Sequence, residues 1–199
     1  MKLQEQHERY PFLSMLEENW EVIKEELENL LYNEAENYKS YFIEWPETDI
    51  YEGQWDVFGL YAWGEKLDDN CVLCPKTTAI VEKIPGMTMA GFSALAPNTH
   101  IRPHYGYDGD VYRCHLGLIV PTELHTYASK SMPLLSSGVC ALRVEDQIFQ
   151  WKEGQAFYFD DVKQHEAFNW GDRTRYVLLV DFKKSTEQAT SKLSSWRSE

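Results

Sequence analysis

The stretch from Pro85 to Phe182 leaves this chain few folds to choose from. Short runs that are apolar, or that alternate apolar with polar, follow one another: Met87 to Leu95, Tyr112 to Val120, Val139 to Val144, Gln147 to Trp151, Ala156 to Phe159, Glu166 to Trp170 and Arg175 to Phe182. Turn-forming residues stand between them, at Asp108-Gly109-Asp110, Ser136-Ser137-Gly138, Glu153-Gly154 and Trp170-Gly171-Asp172. Runs this short bury one or both faces as strands, and many of them at close spacing form a sandwich or barrel. The expected fold is mainly β, a double-stranded β-helix (jelly roll) over residues 51–183.

Upstream the period changes. Phe12, Leu13, Leu16, Trp20, Ile23, Leu27, Leu30 and Leu31 recur at three- and four-residue steps, so residues 10–40 are predicted to be helical and to present one apolar stripe to the core. Ser14 and Glu17 have capping-box spacing and offer one start among several. A loop at Ile43 to Asp49 carries Trp45-Pro46. A strand is predicted from Gln54 to Trp63, and a short amphipathic helix from Thr77 to Lys83, stopped by Pro85-Gly86. The organisation expected is a helical segment over 1–50 packed on the core, a domain over 51–183, and a flexible, Ser-rich tail over 184–199. No internal repeat is visible.

The formal charge of −13 with no basic patch argues against a nucleic-acid partner. The acidity gathers at Glu17, Glu18, Glu21, Glu25, Glu26 and Glu28, which reads as a solvated helix face rather than a docking surface. The polar start lacks an apolar signal core and no run is long enough to span a bilayer, so the expectation is a cytoplasmic protein without a membrane partner. Cys71, Cys74, Cys114 and Cys140 make no disulfide framework at this length. Cys71-Val72-Leu73-Cys74 has no second pair to complete a zinc ribbon, which leaves structural thiols. Trp45, Trp55 and Trp63 are expected mostly in the core, with one or more at the mouth of a pocket.

Two histidines and an arginine carry the chemistry. His104 ends the strand after Pro97, His165 opens a strand after Asp160-Asp161, and Arg175 lies ten residues further on. Two imidazoles from facing strand ends can hold one metal ion, although a bare pair sixty residues apart is a weak signal. The usual iron site adds a carboxylate two residues after the first histidine, and here that position is Gly106. Arg175 interrupts an apolar run, where its charge needs a partner. It either grips a carboxylate ligand or pairs with Asp160 or Asp181, or it faces solvent at an edge. Arg113 and His115 share one face of their strand, either inside the barrel or toward water.

Five ordered blocks resemble the aspartyl/asparaginyl β-hydroxylase family: His100 to Gly106, Tyr112 to Pro121, Trp151 to Asp161, Gln164 to Phe168 and Arg173 to Asp181. Gln54 to Tyr61 and Cys74 to Thr77 also look like that family. Its members carry His-x-Gly where other oxygenases carry His-x-Asp, so Gly106 becomes a family trait. The resemblance implies a hydroxylase that uses Fe(II) as metal and 2-oxoglutarate as cosubstrate and releases succinate and CO2. It implies His104 and His165 as the metal ligands. Arg175 and Ser93 would hold the distal carboxylate of 2-oxoglutarate, with Arg113 and His115 facing its other end. Ser93 alone would pass for a plain strand serine. The loop after Gly106 departs from the family: Asp108 or Asp110 either supplies a carboxylate to the metal or sits in a surface hairpin turn. The implied substrate is an Asp- or Asn-like residue of a peptide or protein, or an amino-acid-like small molecule. The rival readings are a non-catalytic jelly-roll binding or sensor domain that retains the pocket, and a cupin-like isomerase or dioxygenase working without 2-oxoglutarate.

Overall fold

The computed structural model describes residues 3–37, 40–107, 109–121 and 139–184. Three helices come first: α1 (Leu3–Arg9), α2 (Phe12–Glu18) and α3 (Trp20–Asn37). Then follow β1 (Ile43–Glu44), a 3-10 turn at Thr48–Ile50, β2 (Tyr51–Glu52), β3 (Trp55–Ala62) and β4 (Glu65–Lys66). Two short helices, α4 (Asp68–Leu73) and α5 (Pro75–Val81), lead into β5 (Met87–Leu95), β6 (Thr99–His104) and β7 (Val111–Ile119). The chain closes with β8 (Cys140–Val144), β9 (Gln147–Gln150), β10 (Ala156–Phe159), β11 (His165–Asn169) and β12 (Arg175–Lys183).

Among the described residues these strands form two antiparallel sheets. The larger has the order β1-β3-β5-β12-β7-β10, with β4 paired to β3, and the smaller has the order β2-β6-β11-β8-β9. From β5 to β8 each strand passes to the other sheet, and the same crossing recurs from β9 through β12. This alternation is the double-stranded β-helix expected from the spacing of runs and turns. Alternation along each strand sends its two sets of side chains to two separate cores. On β12, Leu178, Val180 and Phe182 face outward and pack with Leu13, Leu16, Ile23, Leu27 and Leu30 of the helices. Val177 faces inward with Trp55, Leu95, Leu142, Phe157 and Ala167, between the sheets.

The helical character predicted over 10–40 is present as separate helices rather than one run. It starts earlier, at Leu3, and is broken twice. Pro11, which has no N–H to give, stands at the start of α2, and Asn19 ends α2 with its amide donating to Met15 O at 2.8 Å. Ser14 lies inside α2 and caps nothing. The buried Gln6 of α1 stands in for a missing strand at the edge of β10: its amide donates to Tyr158 O and accepts from Tyr158 N, both at 3.0 Å.

The acidic stripe is not wholly a solvated face. Glu26 is buried and accepts from Lys76 N (2.8 Å), Thr77 N (2.7 Å) and Thr77 Oγ1 (2.7 Å), capping α5 from another helix. That helix starts at Pro75, two residues before the predicted Thr77, because proline fits the first helical position. The loop predicted from Ile43 contains β1 and the 3-10 turn, and α4 was not foreseen. Trp55 is buried and Trp45 stacks on it at 4.6 Å, but Trp63, at a left-handed turn position (φ 50°), is 83% exposed and belongs to no core. All four cysteines are buried and free, and burial pushes the Cys74 and Cys140 thiols up to about 12. No described helix is long and apolar enough to cross a membrane. Asp108, the turn at Ser136-Ser137-Gly138 and the tail from residue 185 lie outside the described residues.

Candidate functional site

β6 and β11 are hydrogen-bonded neighbours, and their register sets His104 directly opposite His165. The two imidazole centroids are 4.1 Å apart. Each ring uses Nδ1 in the same way: His104 Nδ1 bonds Arg102 O and His165 Nδ1 bonds Lys163 O, both at 2.8 Å. A carbonyl only accepts, so both Nδ1 atoms carry the proton and both Nε2 atoms keep a lone pair. That is the arrangement of metal-binding histidines, whose second nitrogen donates to a backbone carbonyl or carboxylate. Burial first, and then the neighbouring His104, pull His165 down to about 4, so its ring is neutral at physiological pH. Among the described residues no third His, Cys, Asp or Glu completes a three-ligand cluster.

The space beside Gly106 is taken up by an acidic residue. A Cβ built on Gly106 would collide with the Asp161 carboxylate and come within 2.9 Å of Asp161 O. Gly106 N also donates to Asp161 O at 2.8 Å, which locks the two loops together. The Asp161 side chain is 4% exposed. Its Oδ1 lies 3.4 Å from His165 Nε2 and 3.0 Å from Arg113 Nη1, yet makes no aligned hydrogen bond to either. A buried carboxylate with an unsatisfied oxygen therefore faces the bare nitrogen of His165. Asp161 is a candidate site residue that the histidine pair by itself did not point to. The signal was its place at the end of a family block, four residues before His165.

Behind the histidines a pocket between the two sheets is lined by Trp55, Ser93, Arg113, His115, Phe159 and Arg175, among others. All six residues singled out in the sequence line it. Arg113 on β7 is held by carboxylates of the protein: Nε and Nη2 donate to Asp181 at 2.8 Å each, and Nη1 is near Asp161. Burial alone would lower this guanidinium, but Asp181 and then Asp161 outweigh it and hold it above its ordinary value.

Arg175 is different. It is 2% exposed, and its partner is neither Asp160, which pairs with Lys184, nor Asp181. Its Nη2 donates to Ser93 Oγ at 3.1 Å, its guanidinium stands 4.6 Å over the Trp151 ring, and its Nε is buried without an acceptor. Burial pulls this group down to about 10. A buried cation whose polar and aromatic contacts among the described residues are one hydroxyl and one ring face is a ready site for an anion.

Ser93 Oγ also accepts from Trp55 Nε1 at 3.0 Å. With both acceptor positions used, the hydroxyl proton is left to be donated. His115 is buried, and burial with the Arg175 and Arg113 charges holds it well below its ordinary value. Asp110 sits in the exposed turn before β7, with its carbonyl accepting from Lys184 N at 2.8 Å. The arrangement unites two bare imidazole nitrogens and the donors of Ser93 and Arg175 in one pocket, with the Asp161 carboxylate next to His165.

Comparison with known proteins bears on the family and the fold. The model of the family described as aspartyl/asparaginyl beta-hydroxylase matches residues 17–185. The ornithine lipid ester-linked acyl 2-hydroxylase of Rhizobium tropici is 38% identical over 179 residues, covering 88% of this chain and 58% of that protein. Human aspartyl/asparaginyl beta-hydroxylase is 29% identical over 171 residues, covering 83% of this chain and 20% of that protein. The chain thus spans a little over half of the first relative and a fifth of the second. The crystal structure of a Pseudomonas putida prolyl-4-hydroxylase superposes with a TM-score of 0.50 at 13% identity, covering 83% of this chain and 88% of that one, which is a likeness of fold.

Proposed function

The chain belongs to the aspartyl/asparaginyl β-hydroxylase family, and from that premise we propose that it is an Fe(II)- and 2-oxoglutarate-dependent hydroxylase. The observation that carries the proposal is the pairing of two Nε2-bare histidines with a buried arginine that lacks a carboxylate partner among the described residues, in one cavity. His104 and His165 would hold the metal through Nε2. Asp161 would provide beside it the negative charge that Gly106 cannot.

When bound, Fe(II) would couple the oxidative decarboxylation of 2-oxoglutarate by O2, to succinate and CO2, to hydroxylation of an unactivated C–H, one oxygen atom of O2 going to succinate and the other to the new hydroxyl. The protein's own part is binding and orientation. Arg175 and the Ser93 hydroxyl take the distal carboxylate, and that anion supplies the counter-charge Arg175 lacks. Arg113, its charge balanced by Asp181 and Asp161, forms a rigid wall on the metal side, with His115 facing the other end of the cosubstrate. Phe159, Ile101 and Leu142 keep the rest of the cavity apolar and exclude water.

The substrate proposed is an Asp- or Asn-like residue, or an amino-acid-like small molecule. A lipid acyl chain is the second reading, favoured by the 38% identity to the Rhizobium tropici enzyme. A reducing, cytoplasmic setting is part of the same proposal and is supported by four buried, unpaired thiols. The test is succinate release from 2-oxoglutarate with Fe(II) and ascorbate, over a panel of amino acids, Asp-containing peptides and acyl lipids. Wild-type protein should exceed a His165→Ala control. No excess with any substrate would favour the non-catalytic binding domain.

A further inference from the structure

We propose that Trp151 is a positioning residue of the cosubstrate pocket, fixing His115 as a neutral donor with its edge and Arg175 with its face; the inference rests on the 2-oxoglutarate reading above. Trp151 follows β9 and is 4% exposed. Its indole Nε1 donates to His115 Nδ1 at 3.2 Å, with the two rings stacked at 6.0 Å. An indole N–H only donates, so His115 Nδ1 must present a lone pair. The neutral ring then carries its proton on Nε2. That atom is buried and has no partner among the described residues, while the ring lines the cavity. The Nε2–H is therefore kept for an acceptor inside the cavity.

The opposite tautomer would turn a lone pair toward any carboxylate there, which replaces attraction with repulsion. The face of the same indole lies 4.6 Å from the Arg175 guanidinium, whose Nε is also without a partner. A desolvated cation gains most from an aromatic face when no anion is present. One side chain thus holds two unfilled donor groups toward one cavity before any ligand arrives, which is what a preorganised anion site requires. A tryptophan that merely filled the core would need neither contact.

The experiment reads the tautomer directly. In metal-free protein labelled with 15N-histidine, the His115 signal is the one lost in His115→Gln. It should show unprotonated Nδ1 and protonated Nε2. Trp151→Phe keeps an aromatic face but removes the donor, and should shift that signal toward the Nδ1–H form. It should also raise KM for 2-oxoglutarate about tenfold, the weight of one hydrogen bond to a charged group, with kcat changed much less. Trp151→Leu removes the face as well and should raise KM further. A wild-type His115 protonated on Nδ1, or a Trp151→Phe protein with unchanged tautomer and KM, overturns the proposal. If the phenylalanine variant does not fold, the wild-type spectrum alone decides. Absence of 2-oxoglutarate turnover in wild type would remove the hydroxylase reading, while the tautomer would still report on Trp151.

Discussion

Replacing Arg175 by methionine should separate stability from cosubstrate affinity. The fall of this guanidinium to about 10 means that burial disfavours its charged form by about 3 kcal/mol. Because the folded-state value is depressed, that penalty is fully present at neutral pH and lifts only as pH rises past about 10. Methionine removes the penalty and keeps most of the volume. It also removes the contact with the Trp151 face, worth about 2 kcal/mol when desolvated, and the bond to Ser93, worth about 1 kcal/mol. These contributions cancel, so the ligand-free variant should unfold in urea within about 1 kcal/mol of wild type. Breaking an ordinary buried ion pair would cost about 3–5 kcal/mol. Affinity should respond in the other way. Two charge-assisted bonds to a carboxylate, at about 1.5–3 kcal/mol each, correspond to a loss of about 10²- to 10⁴-fold in binding of 2-oxoglutarate. In the same urea series, 2-oxoglutarate at about 100 times its Kd should stabilise wild type by about 2.7 kcal/mol and leave the variant unmoved. A ligand-free destabilisation of 4 kcal/mol or more would mean that Arg175 has a counter-ion in the protein. Unchanged affinity would mean that its charge does not meet the cosubstrate.

Gly106→Ala should lower stability by about 1–3 kcal/mol, a fall of several degrees in Tm by calorimetry, because its Cβ has no room beside the Asp161 carboxylate. For the same reason Gly106→Asp should not create a working third ligand, and metal titration should show no gain in affinity. Glu26→Ala, which strands the buried Thr77 N–H and the half-buried Lys76 N–H at the start of α5, should lower the stability read by urea unfolding by about 3 kcal/mol, and Glu26→Gln by less. His165 has a depressed folded-state value, so the stability it permits is complete above its ordinary value and is lost as pH falls toward about 4. Metal-free protein should therefore weaken by up to about 3 kcal/mol between pH 7 and pH 4, and His165→Asn should flatten that slope.

Much of this architecture is legible before folding. The runs at Met87–Leu95 and Ala156–Phe159 coincide with β5 and β10, and Arg175 opens β12 as its run predicts. Those are buried strands whose apolar content exceeds any competing local preference. The helical region was harder to read, because a three- and four-residue stripe continues across the breaks at Pro11 and Asn19 and periodicity does not register where a helix stops. Glu26 looked like one more charge on a wet face, since nothing local shows that the start of α5 would come to rest on it. Trp63 looked like core, since the left-handed turn that turns it outward is a property of the hairpin. Within the site, His104, His165, Ser93, Arg113, His115 and Arg175 could be named from motif order, and all of them line one cavity.

The sequence by itself determined the strand pattern, the double-stranded β-helix and the family, because periodicity, turn residues and motif order are local and survive without coordinates. What each charged or polar side chain does was decided by the tertiary structure. Arg113 and Arg175 look alike in the chain, yet one is clamped by Asp181 and Asp161 while the other is buried with no carboxylate beside it among the described residues. Asp161 enters the space that Gly106 leaves open, and Trp151 reaches both His115 and Arg175. These pairings join residues far apart in sequence through the register of two facing sheets. Whether a buried charge finds a partner depends on that register, which no local pattern encodes.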